Sequence, residues 1–188
     1  DDADGRFANR SFLINPMGEI TGKYDKIHMF DVQISETETY RESAGYRPGE
    51  KAVIADTALG KIGMAVCYDM RFPLLANALA IAGAETLLYP AAFSPITGAA
   101  HWHSLLRARA IETGCYVIAA AQTGTHPTSG PKARTTYGHS LVVDPWGQVI
   151  LDAGTDAGVH VFDVEMKNVA KARQKVPALL NARPFKAP

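Results

Sequence analysis

Apolar positions along the chain switch between two spacings, one of strands and one of helices, and each switch marks a new element. Ser11 to Asn15 reads as a strand, Pro16-Met17-Gly18-Glu19 as a turn, and Ile20 to Tyr24 as the returning strand of a hairpin. Lys26 to Val32 continues as an extended segment. Ser35 to Glu50 is polar and punctuated by Gly45, Pro48 and Gly49, so a long loop is predicted there. Lys51 to Asp56 and Lys61 to Val66 are predicted strands. Helical spacing then takes over in Leu74 to Ala82, stopped by Gly83, and again from about Ala99 to Thr113, stopped by Gly114. Between and after these helices, Thr86 to Tyr89 and Cys115 to Ala121 read as short strands. The pattern is strand, helix, strand twice over, which predicts parallel neighbours.

The last third loses the helical alternation. Gln122 to Thr136 reads as a mobile loop of Gly, Pro, Thr and Ser. Ser140 to Val143, Gln148 to Leu151 and Val159 to Val164 read as an antiparallel meander around the turn Asp144-Pro145-Trp146-Gly147. Glu165 to Arg173 is a predicted amphipathic helix, and the tail through Arg183-Pro184-Phe185 is irregular. The fold class is α/β with mixed sheets. Two sheets packed face to face with helices outside would bury all the apolar strands.

Composition narrows the functional classes. The 188 residues, 47% of them hydrophobic, support one core and one domain over residues 1–188. Nineteen basic and nineteen acidic residues cancel, so no overall field favours nucleic acid or a membrane surface, and a small ligand fits better. No apolar run approaches the roughly 20 residues that cross a bilayer. Two cysteines, Cys67 and Cys115, are too few for a disulfide framework, which predicts a reducing cytoplasm; a single bridge between them is the alternative. The chain opens on Asp1-Asp2-Ala3-Asp4-Gly5 without a methionine and reads as a fragment.

Candidate chemistry centres on Lys61 to Pro73, KIGMAVCYDMRFP. Cys67 ends a buried-type strand that is predicted to turn straight into a helix. A thiol there gains acidity from the helix dipole, and the N–H of Tyr68 is placed to meet an oxyanion. The plainer reading makes Cys67 one more small buried residue. A base could come from any of six histidines, His28, His101, His103, His126, His139 or His160, which spacing alone does not separate. His101 and His103 form an H-x-H pair, but with no third ligand at recognisable spacing neither metal nor cofactor is expected. Lys26 has Ile27, Met29 and Phe30 beside it in an apolar strand, so it is either an edge residue or a buried cation facing a carboxylate. Glu42 in the long loop is by default a solvated charge.

Longer blocks carry a resemblance. YDKIHMFD at Tyr24 to Asp31, YRESAGYRPG at Tyr40 to Gly49, GMAVCYDMRFP at Gly63 to Pro73, YPAAF at Tyr89 to Phe93, TGAAHWHSLLRARAIETGCYVIAAAQ and YGHSLVVDPWG at Tyr137 to Gly147 resemble the nitrilase, or carbon–nitrogen hydrolase, superfamily. Within it, the run after Phe93 is most similar to the branch of deaminated-glutathione amidases and ω-amidases. The resemblance implies an α-β-β-α four-layer sandwich, a homodimer or higher homo-oligomer, and hydrolysis of a small linear amide through a cysteine thioester. It makes Cys67 the nucleophile, Lys26 the lysine that stabilises the tetrahedral intermediate with the Tyr68 N–H, and Glu42 the second glutamate. Arg71 would pair with a substrate carboxylate or form a structural ion pair. Phe93 would line the pocket or simply pack.

Three departures accompany the resemblance. The general-base glutamate belongs to a segment ahead of the region like Asp1, and nothing in this chain matches it; without that first strand and helix, apolar sheet surface should be exposed. His103 and Leu74 each stand where the motif commonly has glutamate. The alternatives are a non-catalytic binding or assembly module with the same fold, and a nitrilase acting on a C≡N group.

Overall fold

The computed structural model describes residues 4–36, 38–128 and 133–187. In chain order the strands are β1 (Phe7–Ala8), β2 (Arg10–Ile14), β3 (Ile20–Asp25), β4 (Asp31–Ser35), β5 (Glu38–Arg41), β6 (Tyr46–Arg47), β7 (Val53–Thr57) and β8 (Gly60–Met64). They continue as β9 (Thr86–Leu88), β10 (Tyr116–Ala119), β11 (Thr123–His126), β12 (Arg134–Tyr137), β13 (Leu141–Val143) and β14 (Val149–Asp152). The helices are α1 (Pro73–Ile81), α2 (Pro95–Thr113), α3 (Lys167–Lys175) and α4 (Ala178–Asn181).

A six-stranded sheet in the order β14-β13-β10-β9-β8-β7 organises the molecule. Its centre, β8, β9 and β10, is parallel, and its flanks are antiparallel. Two successive βαβ crossovers advance in the same direction, so α1 and α2 cover one face. α1 lies close enough that a Cβ added to Gly63 would stand 3.2 Å from the Leu79 Cβ. Between helices and sheet lies the core of Leu75, Leu79, Leu87, Trp102, Leu106, Val117, Leu141 and Val143. Each large side chain so buried stabilises the fold by about 1.5–3 kcal/mol. Gly114, with φ 60°, ends α2 in the left-handed conformation that glycine adopts without a Cβ clash.

On the other face the β2–β3 ribbon packs across the β7–β8 edge. A Cβ on Gly22 would meet the Met64 sulfur at 2.8 Å and the Ala55 Cβ at 3.3 Å. Tyr24, Met64 and Val66 form a small second core there. Mixed sheet, outer helices and inner β-on-β packing agree with the predicted α/β sandwich. The second layer consists of paired ribbons, β1–β6, β2–β3, β4–β5 and β11–β12, rather than a second continuous sheet among the described residues.

Three sequence expectations are corrected. The polar stretch 35–50 is no long loop: β4 and β5 form a hairpin, followed by a 3₁₀ turn at Glu42–Ala44 and strand β6. The half-buried positions of this hairpin are Val32 and Ile34 in β4 and Glu38 and Tyr40 in β5, so a glutamate and a tyrosine fill places that polarity counting assigns to solvent. Gln122 to Thr136 is likewise the β11–β12 hairpin, with residues 129–132 outside the described part. Val159 to Val164 has the alternation of a strand but pairs with nothing among the described residues, and Val159 and Val161 are 93% and 90% exposed. β-propensity reports fit to a neighbour, and here the neighbour is lacking.

Candidate active site

Beyond β8 the chain keeps running beside β9. Ala65 N–H donates to Leu88 O at 3.1 Å, and Cys67 N–H to Pro90 O at 3.0 Å. At Cys67 the backbone breaks into a left-handed conformation, φ 48°, and opens a 3₁₀ turn, Cys67–Arg71. The predicted direct entry into an α-helix is therefore corrected, because α1 begins only at Pro73 after an extended Phe72. The helix dipole falls off within its first turn and does not act on the sulfur. Burial instead pushes the Cys67 thiol above its ordinary value, opposed by the Ala92 backbone and the Lys26 and Arg134 charges.

One buried carboxylate holds this turn. Asp69, 0% exposed, accepts hydrogen bonds from Tyr24 OH at 2.7 Å, Val66 N–H at 2.8 Å and His28 N–H at 3.1 Å. Its Oδ1 also lies 2.8 Å from His28 Nδ1. Tyr24 is the penultimate residue of β3 and His28 lies two residues past Lys26, so Asp69 ties the cysteine turn directly to the segment that carries the lysine. Sequence reasoning did not single out Asp69. An acidic residue two places after a strand-end cysteine, in an otherwise apolar run, was the available signal.

Lys26 sits just past β3 rather than inside a strand, and its side chain is buried, with the residue 2% exposed. Its backbone is clamped from both sides, with Lys26 N–H donating to Asn9 O and Gly49 N–H to Lys26 O, each at 2.8 Å. Gly49 is needed for that approach, since a Cβ there would stand 2.1 Å from Asp25 O. The Lys26 ammonium donates to Glu42 Oε2, which also accepts from Phe30 N–H at 2.6 Å, while Oε1 accepts from Asn9 Nδ2 at 2.9 Å. Burial works to raise the Glu42 carboxyl, but the Lys26, Asn9 and Phe30 donors outweigh it and hold it below the usual carboxylate range. Glu42 is thus no solvated loop charge. With its oxygens engaged, it anchors the ammonium and is ill suited to taking a proton.

Lys26, Glu42, Cys67 and Phe93 line one cavity of about 600 Å³, together with Tyr40 and Arg134. Among the described lining residues Glu42 is the only carboxylate. The Lys26 nitrogen lies 6.0 Å from the centre of the Tyr68 ring, which places it on the cysteine's side of the molecule. Phe93 also packs on Trp102, with ring centres 5.0 Å apart. Arg71 stands behind the wall, its guanidinium 5.3 Å from the Phe93 ring and 5.8 Å from the Tyr68 ring, with two nitrogens 3.3 Å from His101 Nδ1. Arg134, missed at the sequence level because it followed a Gly/Pro/Thr stretch, donates to Ala92 O at 3.2 Å on the cavity wall.

No histidine among the described residues lines this cavity. His28 is held by Asp69, His101 by Arg71, and His126 by the Thr136 hydroxyl at 2.7 Å. The H-x-H pair divides, for His103 turns to Asp152 at 2.8 Å. Leu74, at the other departure from the motif, is 82% exposed.

Comparison with known proteins agrees with this architecture. Residues 1–174 match the family described as carbon-nitrogen hydrolase. The chain is 45% identical over 174 residues to a deaminated glutathione amidase from Yersinia enterocolitica, covering 92% of this chain and 59% of that protein. To the omega-amidase NIT2 of Mus musculus it is 40% identical over 180 residues, covering 95% of this chain and 63% of the relative. It thus spans about six tenths of the length of each. Among solved structures, a Glu-to-Gln mutant of the amidase from Nesterenkonia sp. AN1, carrying the acetamide moiety of fluoroacetamide on its active-site cysteine, superposes with a TM-score of 0.72. Identity to it is 27%, covering 93% of this chain and 58% of that one. By family match, sequence identity and fold together, the chain belongs to the carbon–nitrogen hydrolase family.

Proposed function

We propose that this chain carries the nucleophile half of an amidase that hydrolyses a small linear amide through a thioester on Cys67. The observation that carries the reading is the buried Lys26–Glu42 pair on the wall of the cavity that Cys67 also lines. In this scheme the Cys67 sulfur attacks the amide carbon, and the Lys26 ammonium and the Tyr68 N–H share the oxyanion. Glu42 keeps the ammonium charged and in place. Collapse of the intermediate releases ammonia or an amine, and water then cleaves the thioester to the acid. The proton acceptor in this scheme is a group other than Glu42, whose two oxygens are engaged by Lys26, Phe30 and Asn9. Phe93 walls the substrate. Arg71 steadies that ring and adds positive charge behind it, while Arg134 is the better-placed partner for an anionic group on the substrate.

Two coarser readings accompany this one. The exposed Phe7, Phe12, Ile14, Met17 and Ile20 on the β1–β3 side support a homodimer or larger homo-oligomer, and the free thiols of Cys67 and Cys115 support a cytoplasmic protein. The locked Glu42 also favours, as a second reading, a binding module that holds amides or acids without turnover.

Alkylation with iodoacetamide, followed by peptide mass spectrometry, tests the chemistry. Cys67 is expected to label faster than Cys115, which is 0% exposed. Because its thiol is raised, the Cys67 rate should climb about tenfold per pH unit from near-neutral pH upward, following the thiolate fraction. Cys67→Ala should abolish ammonia release by the full-length protein. Equal labelling of both cysteines, with undiminished ammonia release by the mutant, would rule the amidase out. A thioester adduct detected by intact mass would rule out the module.

A further inference from the structure

We propose that His103, His139 and Asp152 form a site for one divalent transition-metal ion, of the zinc, cobalt or nickel type, away from the Cys67 cavity. One nitrogen from each imidazole and a carboxylate oxygen lie within 4.8 Å of one another. His103 Nε2 stands 2.8 Å from Asp152 Oδ2, and His139 Nδ1 stands 2.9 Å from Oδ1 and 3.1 Å from Oδ2. None of the three lines the cavity at Cys67.

The three groups come from separate parts of the fold, and each is fixed before any ion arrives. His103 projects from α2, and Asp152 ends β14. His139, just ahead of β13, adopts φ 57°, a left-handed conformation that a residue with a Cβ takes only when its surroundings enforce it. Here His139 N–H donates to Gly154 O at 2.6 Å, its carbonyl accepts from Trp102 Nε1 at 2.8 Å, and its ring stacks on Tyr137 with centres 4.4 Å apart. Gly154 N–H donates to Asp152 Oδ1 at 2.9 Å, orienting the carboxylate as an outer hydrogen bond does around a metal ligand.

Two imidazoles and one carboxylate match the ligand set of borderline cations and are a poor match for magnesium or calcium, which demand more oxygen. Side-chain exposures of 36%, 25% and 33% for His103, His139 and Asp152 leave an approach from solvent and room for water to complete the coordination. Binding needs no redox partner. In the ion-free protein the ring nitrogens that face Asp152 carry the proton shared with its carboxylate; as the ion binds, a neutral imidazole passes that proton through solvent to its remote nitrogen and an imidazolium releases it to solvent, which frees the near lone pair for the ion. The ion would clamp α2 to the β13–β14 edge.

Cobalt(II) titration of the metal-free protein in a Cys67→Ser background, which removes the accessible thiol, reads the coordination directly by visible d–d absorption. One equivalent is expected to saturate the bands, zinc should displace them, and zinc should raise the thermal midpoint. His103→Gln, at a half-buried helix position, and Asp152→Asn should each weaken binding at least tenfold and abolish the zinc-dependent rise while leaving the ion-free midpoint within a few degrees. The proposal is overturned if no bands appear, or if bands and affinity persist unchanged in both variants.

Discussion

Replacing Lys26 with methionine tests the energetics of the buried pair most sharply, because methionine keeps an unbranched side chain only one atom shorter while removing the charge and the hydrogen bond to Glu42. Lys26 is 2% exposed and the Glu42 side chain 14%, so water screens the pair weakly. Deleting one partner of such a pair costs about 3–5 kcal/mol through the charge left behind. Glu42 retains the Phe30 N–H and Asn9 Nδ2 donors, which places the expectation at the lower end, about 3 kcal/mol near neutral pH. The pH dependence follows from the sign of each shift. In the wild type the Glu42 carboxyl is depressed, so its contribution is full above the unfolded value of 4.5 and is lost as pH falls through the folded value. In the variant the ammonium no longer lowers the carboxyl and burial is opposed only by the Asn9 and Phe30 donors, so the carboxyl moves up from its wild-type position and the penalty grows as pH rises through it. Urea unfolding at about pH 5 and about pH 7.5, each interpreted by linkage, should therefore show a smaller loss under the acidic condition. The double variant Lys26→Met, Glu42→Gln should recover more than about 1 kcal/mol of the single loss. A loss that does not change with pH, or a double variant no better than Lys26→Met, would refute a coupled ion pair.

Two further substitutions probe the scaffold of the site. Asp69→Ala strands the Tyr24 hydroxyl and the Val66 and His28 N–H groups, and should cost more than about 3 kcal/mol in chemical denaturation; a loss below about 1 kcal/mol would contradict its role as the link between lysine and cysteine segments. Gly98→Ala puts a methyl 2.3 Å from Tyr137 Cγ and 2.6 Å from its Cβ, atoms at the root of the ring that cannot swing aside. The expected overpacking loss of about 1–3 kcal/mol exceeds the roughly 1 kcal/mol that alanine gains in a helix, so a higher melting temperature would disprove the close α2–β12 contact.

Legibility of the fold in the sequence follows how local each signal is. The βαβ units from Lys61 to Ala121 were readable because helical spacing, Gly83 and Gly114 as stops, and short apolar strands all agree within one window. The ribbons β4–β5 and β11–β12 were not, since each is stabilised by a partner strand and by contact with α2 or the cavity rather than by its own composition. Cys67, Lys26 and Glu42 became a group only through the resemblance, as chemistry alone favoured an exposed Lys26 and a solvated Glu42. The structure supplies the reason such defaults fail: Lys26 and Glu42 satisfy one another, with Asn9 and Phe30 closing the remaining valences. Asp69 and Arg134 were not singled out for a related reason: apart from Val66 beside Asp69, their partners are distant in the chain.

The φ of 48° at Cys67 has a consequence for how this protein can change over generations. A side chain in that conformation is disfavoured by roughly 1–2 kcal/mol relative to glycine, so mutation toward a more robust fold would tend to erase the sulfur first. A lineage that lost its need for the thiol would have an inexpensive path to glycine at this point, and a cysteine kept there opposes the local gradient of stability.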